Sequence, residues 1–175
     1  VTLIYFLIPH KYRWALLLFS SYYFYMCWKP QYIILIMLST AVVYFAGIKI
    51  EDSEEQKQKK KYLIISLVIN LVILFLFKYF NFFNHSLERI FTTFNLRYNV
   101  PNFSLMLPVG ISFYTFQALS YAIDVYKGQI KAERHFGIFA LYVSFFPQLV
   151  AGPIERSDRL LPQFYEVHKF DYDRM

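Results

Sequence analysis

Gln117, Tyr121 and Asp124 stand four and three residues apart, a spacing that brings an amide, a phenol and a carboxylate to one side of a helix. The surroundings are apolar: from Tyr98 to Ile123 no side chain carries a charge. An unpartnered polar group at such a depth is costly, so these three must face protein or water. Two readings stand for Gln117 and Tyr121, hydrogen bonding between helices or the lining of a substrate passage. Asp124 has a third, in which it ends the apolar segment just before Lys127 or pairs with Arg134 or Arg156 to pin a loop. Gln148 and Gln163 each adjoin a proline, where a side-chain amide can satisfy freed backbone groups or meet a substrate. Arg156 follows Gly152-Pro153-Ile154, a second disruption of helix.

The histidines offer less. His10 and His85 lie at the ends of apolar runs, where a solvated or interfacial imidazole is ordinary. His135 opens an apolar run after Arg134, which fits a helix boundary better than a general base, and His168 reads as surface. No His-x-x-x-His pair, Gly-x-Ser-x-Gly turn or phosphate-binding glycine loop occurs. Cys27 is the single cysteine, so an intrachain disulfide and a cysteine zinc cluster are excluded. The expectation is therefore no metal site and no complete active site in this stretch.

Apolar helices must position these groups. Hydrophobic residues make up 57% of the 175 and aromatic residues 22%, with a mean hydropathy of +0.34, above the roughly 45–50% apolar share of soluble domains. Charge falls in short blocks between long apolar runs, the pattern of a polytopic membrane protein. The net charge of +6 is spread through those blocks, so it points to orientation in a bilayer and away from nucleic acid. The pattern predicts an all-α bundle of transmembrane helices with a broken or re-entrant segment. Spans are expected at about 1–9, 14–28, 30–48, 62–80, 105–123 and 136–150, the first reading as the end of a helix whose beginning is absent. Connections are expected at 10–13, 49–61 (polar and helical in character) and 124–135, with an interfacial helix at 81–97 and a surface tail at 155–175. Pro108 and Gly110 break the fifth span, and Pro147 and Gly152-Pro153 break the sixth. Backbone freed by such breaks cannot face lipid, and must sit within protein or against a wet cavity.

Basic residues orient the set, because cytoplasmic connections collect Lys and Arg. With the chain's start outside, the connections 10–13, 49–61 and 124–135 hold ten (Lys11, Arg13, Lys49, Lys57, Lys59, Lys60, Lys61, Lys127, Lys131 and Arg134), against four opposite, Lys29, Lys78, Arg89 and Arg97. The tail's Arg156, Arg159, Lys169 and Arg174 fit the basic side if Phe136 to Ile154 dips in and returns.

The run Leu107-Pro-Val-Gly-Ile-Ser-Phe-Tyr-Thr-Phe-Gln-Ala-Leu-Ser-Tyr-Ala-Ile-Asp124-Val-Tyr resembles the signature of the membrane-bound O-acyltransferase family, in its bacterial polysaccharide-acetylating branch. The resemblance continues through Tyr142-Val-Ser-Phe-Phe-Pro-Gln-Leu-Val-Ala-Gly-Pro-Ile154, Arg156 and Leu160-Leu-Pro-Gln163. It extends loosely to Pro9-His-Lys-Tyr-Arg13 and Tyr25-Met-Cys-Trp-Lys-Pro30. It implies a many-helix bundle around a tunnel in the bacterial inner membrane. There a cytoplasmic acyl thioester, acetyl-CoA or an acyl carrier protein, gives its acyl group toward an exported polymer such as alginate or toward a partner acetyltransferase. An essential histidine acting as general base is expected beyond Met175, so the stretch in hand reads as an amino-terminal part, inactive alone, with Gln117, Tyr121, Asp124, Gln148 and Arg156 as candidates for the tunnel wall. Such a part, lacking helices that bury Gln117 and Asp124, is expected to expose polar and aromatic surface on one side. The competing readings are D-alanyl transfer to teichoic acid, a transporter or flippase, and a non-catalytic membrane scaffold.

Overall fold

The computed structural model describes residues 1–94, 100, 108, 110–152 and 155–167, apart from the side chains of Leu3, Trp28, Val150 and Ala151. Among these residues the regular structure is helical, with no strand. Helix α1 (Thr2–Leu7) stops before Pro9, whose fixed φ of −54° opens α2 (His10–Trp28). The connection expected at 10–13 is thus helical. Lys11 is exposed and Arg13 half-buried, its Nε donating to the Ile8 carbonyl at 3.2 Å, while Pro9 marks where the helix starts.

A 3₁₀ turn with proline at its first position (Pro30–Tyr32) leads into α3 (Ile33–Asp52), and α4 covers Gln56–Lys78. Pro30–Asp52 and Gln56–Lys78, 23 residues each, are long and apolar enough to cross a membrane. At about 1.5 Å per residue, 23 residues reach ~34 Å against a ~30 Å hydrocarbon core. Next come α5 (Phe80–Thr93) and α6 (Ile111–Tyr126). Gly110, at φ +74°, precedes α6, and Pro108 is buried beside it. The first residues of the span expected from 105 and the end of the helix expected to 97 lie outside the described residues.

The sixth apolar run is divided. Helix α7 (Phe136–Ser144) and α8 (Phe146–Ala151) meet at Phe145, whose ψ of 107° leaves the helical region. Pro147 lacks the N–H that would bond Val143, so it cannot sit inside a continuous helix; it takes the opening turn of α8, and the break moves upstream to Phe145. The tail carries a short helix, α9 (Ser157–Gln163), with Leu160 and Leu161 buried.

Helices α3, α4 and α6 pack against one another, α2 packs on α7, and α7 also touches α3 and α6, which joins the two groups. Small residues allow close approach: a Cβ on Gly47 of α3 would lie 2.9 Å from the Tyr121 ring of α6, and one on Gly137 of α7 would lie 2.3 Å from the Trp14 ring of α2. Tyr114, Tyr121, Phe139 and Tyr142 are wholly enclosed at the centre. Midway along α3 and α4, Ser39 donates to the Asn70 side chain, whose own amide donates to the Ser66 carbonyl at 2.9 Å. This is an all-α membrane helix bundle.

Candidate functional site

The break at Phe145 leaves backbone groups that a continuous helix would pair, and the bundle supplies side chains for them. In unbroken helix the Tyr142 carbonyl would accept from the Phe146 amide. Instead Gln117 of α6 donates its Nε2 to that carbonyl at 2.8 Å, and the Phe146 amide donates to Ser21 Oγ of α2 at 3.3 Å. Gln117 Nε2 also lies 3.3 Å from Gln148 Oε1, which ties the amide in α8 to the same point. From the opposite direction the Tyr142 hydroxyl reaches the carbonyls of Gln117 and Glu155, at 3.5 and 3.4 Å. One polar knot therefore fastens α6, α7 and α8 around the disruption.

Coverage is complete where exposure was expected. Gln117 is 3% exposed, Tyr121 0% and Gln148 8%, all enclosed by this stretch of chain itself. Tyr121 lies against Gly47 of α3 and Phe139 of α7, and Gln117 and Gln148 close on each other beside the Tyr142 carbonyl. Apolar surface stays open on α3 and α4, at Phe45, Val68 and Val72, and on α6 itself, at Phe113 and Phe116.

A second, charged cluster gathers at one end of the bundle. Arg134 pairs with Asp52 at 2.7 Å and with Glu51 at 3.1 Å. Glu51 also accepts from the Ala132 amide at 3.1 Å, and Tyr121 OH accepts from the Glu133 amide at 2.8 Å. Tyr44 OH donates to the Arg134 carbonyl at 2.6 Å. Thus Arg134 pins its loop to the end of α3 and does not pair with Asp124, because two carboxylates there already face it. The guanidinium holds the Asp52 carboxyl below the usual carboxylate range, through hydrogen bonding first and charge second. His135 caps α7, its Nδ1 accepting from the Ile138 amide at 3.2 Å while its ring meets Trp14 edge-on at 4.7 Å, so it sits at a helix boundary.

The tail returns to this same end. Tyr165 OH donates to Glu133 Oε1 at 2.8 Å, and His10 Nε2 lies 2.9 Å from the Glu166 carbonyl. Chain that leaves the charged end at His135 is back there by Tyr165. Asp124 is half-buried and Arg156 exposed, and neither side chain makes a hydrogen bond or ion pair among the described residues. Gln163 donates to the Arg159 carbonyl within α9 at 3.1 Å, and His168 lies outside the described residues.

An apolar cleft of about 370 Å³ opens beside the break, between Tyr5, Leu17, Phe146, Leu160 and Gln163 among others. Another, of about 560 Å³, lies at the charged end against Lys131, Glu133, Asp158 and Tyr165. Neither has Gln117, Tyr121, Asp124, Gln148 or Arg156 in its wall. Sequence reasoning missed Ser21, Asn70 and Tyr142. Asn70 was findable as a carboxamide in the middle of an apolar run, whereas serines and tyrosines in such runs give no distinct signal.

The chain is 38% identical over 96% of its length to a Pseudomonas aeruginosa protein named "Probable alginate O-acetylase", and 39% identical over 96% to the Azotobacter vinelandii protein of that name. It is also 34% identical, over 85% of its length, to the peptidoglycan O-acetyltransferase of Helicobacter pylori. It spans about a third of the length of these relatives, 32%, 34% and 32% respectively. No family model matches the chain, and no solved structure matches it significantly. This similarity runs through both broken helices and bears out the resemblance to the membrane-bound O-acyltransferase family.

Proposed function

We propose that the whole protein is a multi-pass O-acetyltransferase of the bacterial inner membrane. It takes an acetyl group from a cytoplasmic thioester, acetyl-CoA or an acyl carrier protein, and passes it toward an exported polysaccharide of the alginate type. The observation that carries this reading is the 38–39% identity to alginate O-acetylases over nearly all of this chain. The peptidoglycan O-acetyltransferase of H. pylori supports a glycan acceptor more generally.

In this reading the stretch described here builds one wall of the acyl passage. Gln117, Tyr121 and Gln148 hold that wall closed around the break, and Asp124 and Arg156, with no ion pair of their own here, face the reactants. The charged cluster of Arg134, Glu51 and Asp52 stands on the donor side, and 136–154 enters and returns without crossing. Nine residues of α7 rise only ~14 Å, which favours a re-entrant path over a span. The general base is a histidine contributed from outside this stretch.

Membranes containing the full-length protein, supplied with a radiolabelled acetyl thioester, should label extracellular polysaccharide. Replacing the histidine of a later apolar segment by alanine should abolish the label while leaving protein abundance unchanged. Transfer of labelled D-alanine with no acetyl transfer would instead place the protein in the teichoic acid reading, and no group transfer with either donor would reject the enzyme.

A further inference from the structure

Among the described residues, helix α5 carries a largely exposed apolar stripe. Phe83, Leu87, Ile90 and Phe94 follow one another at four, three and four residues, which puts them on one helical face. They are 49%, 42%, 52% and 71% exposed, and the only residue that α5 buries is Asn84, whose amide donates to the Val100 carbonyl at 3.1 Å. Glu88, Arg89, Thr92 and His85 occupy the other side, and Glu88 lies 3.4 Å from His85. Fourteen residues rise only ~21 Å, and the pair Glu88-Arg89 stands in their middle, so α5 cannot cross a ~30 Å core.

The stripe is continuous with another surface. Helix α4, long and apolar enough to cross a membrane, turns its Ile65, Val68, Val72 and Phe75 outward from the bundle. Phe75 meets Phe83 across the turn at 5.4 Å between ring centres, so the outward face of α4 runs directly into the stripe of α5. The turn itself has the residues of a membrane boundary: Lys78, donating to Ser112 Oγ at 3.1 Å, and Tyr79, 40% exposed. Helix α5 thus starts directly after these boundary-type residues at the end of α4.

We propose that α5 lies in the membrane–water interface, its Phe83–Phe94 stripe seated on the acyl chains and its Glu88–Arg89 side in water. The occupant of the stripe is the lipid bilayer. A float of this kind fixes how far α4 sinks, and through the Lys78–Ser112 bond it fixes the depth of the Gly110 end of α6.

The test uses the full-length protein with Cys27→Ser, reconstituted in vesicles of phosphatidylethanolamine and phosphatidylglycerol. A polarity-sensitive fluorophore is placed singly by Leu87→Cys or Ile90→Cys on the stripe, and by Arg89→Cys or Thr92→Cys opposite. The stripe positions should be quenched severalfold more by lipids spin-labelled high on the chain than by aqueous iodide, with the order reversed for positions 89 and 92. Equal iodide quenching at all four positions would mean that the stripe faces water. Shielding of positions 87 and 90 from both quenchers would mean that protein covers it. Either result overturns the proposal.

Discussion

At the scale of single residues, the structure turns a question about catalysis into one about closure. Gln117 is the residue on which this rests, since its amide replaces a hydrogen bond that the break at Phe145 removes. Gln117→Leu keeps the volume and leaves the Tyr142 carbonyl unpaired, which should cost about 1–3 kcal/mol. Thermal unfolding in detergent should show a lower midpoint for Gln117→Leu; an unchanged midpoint would mean that the bond contributes nothing. Gly137 offers a sharper test, because a methyl group there collides with Trp14. Gly137→Ala should destabilise by about 1–3 kcal/mol, and Trp14→Ala in the same chain should recover part of that loss, a non-additivity that the unfolding midpoints of the double-mutant cycle measure.

The candidates were legible in sequence to the extent that they were polar and deep. Gln117 and Gln148 stand out as carboxamides in apolar runs, and hydrogen bonding between helices was one of the two readings for the first. Backbone satisfaction beside a proline was a reading for the second. Their partner was not legible, because it is a carbonyl of Tyr142 whose vacancy exists only once Phe145 leaves the helix. Ser21 is a similar case: a serine in an apolar run ordinarily bonds its own helix, as it also does here to the Leu17 carbonyl at 2.8 Å.

At the scale of elements, proline and glycine were reliable guides to disruption and poor guides to its position. Pro147 signalled the break, which falls two residues earlier because proline is accommodated in the first turn of α8. Charge misled in a similar way at 10–13, where Lys11 and Arg13 belong to α2. The loop between α6 and α7 is fastened by contacts that no local pattern encodes, since Arg134 and Asp52 are 82 residues apart.

That fastening has a pH dependence of definite sign. The folded-state pKa of Asp52 lies below its unfolded value of about 3.9. The pair's contribution is therefore complete above the unfolded value and disappears as pH falls through the lower folded one. The pair is exposed to solvent, so salt should weaken it at any pH. A spin label introduced by Gln129→Cys in a Cys27→Ser chain should be immobile at neutral pH and gain mobility as acid titrates the cluster. In Arg134→Ala the label should be mobile throughout, because the loop then has no ion pair to α3. A label whose mobility ignores both acid and Arg134→Ala would show that the loop is held without the ion pair, by contacts such as those of Tyr44 and Tyr121.

At the scale of the whole molecule, apolar content and helix-length runs were enough to read an all-α membrane bundle from sequence. What they could not convey was how self-contained this stretch is. A bundle lacking neighbours was expected to leave Gln117, Tyr121 and Gln148 uncovered, yet α3, α7 and the Gln117–Gln148 contact enclose them. The ends of the bundle also acquire distinct characters. Glu51, Asp52, Arg134, His10 and Tyr165 meet at one end, and Lys78 with Ser112 marks the other.

In the proposed topology the basic connections and the returning tail share the face from which the acyl group is delivered. Single cysteines in a Cys27→Ser full-length protein, introduced by Lys60→Cys, Lys131→Cys, Arg159→Cys, Lys29→Cys and Arg89→Cys, can be challenged in intact cells with a membrane-impermeant maleimide. Labelling is expected at positions 29 and 89 only, with positions 60, 131 and 159 reacting once the membrane is opened. Labelling of position 159 from outside while position 131 stays protected would contradict it, because the segment between them would then cross the membrane.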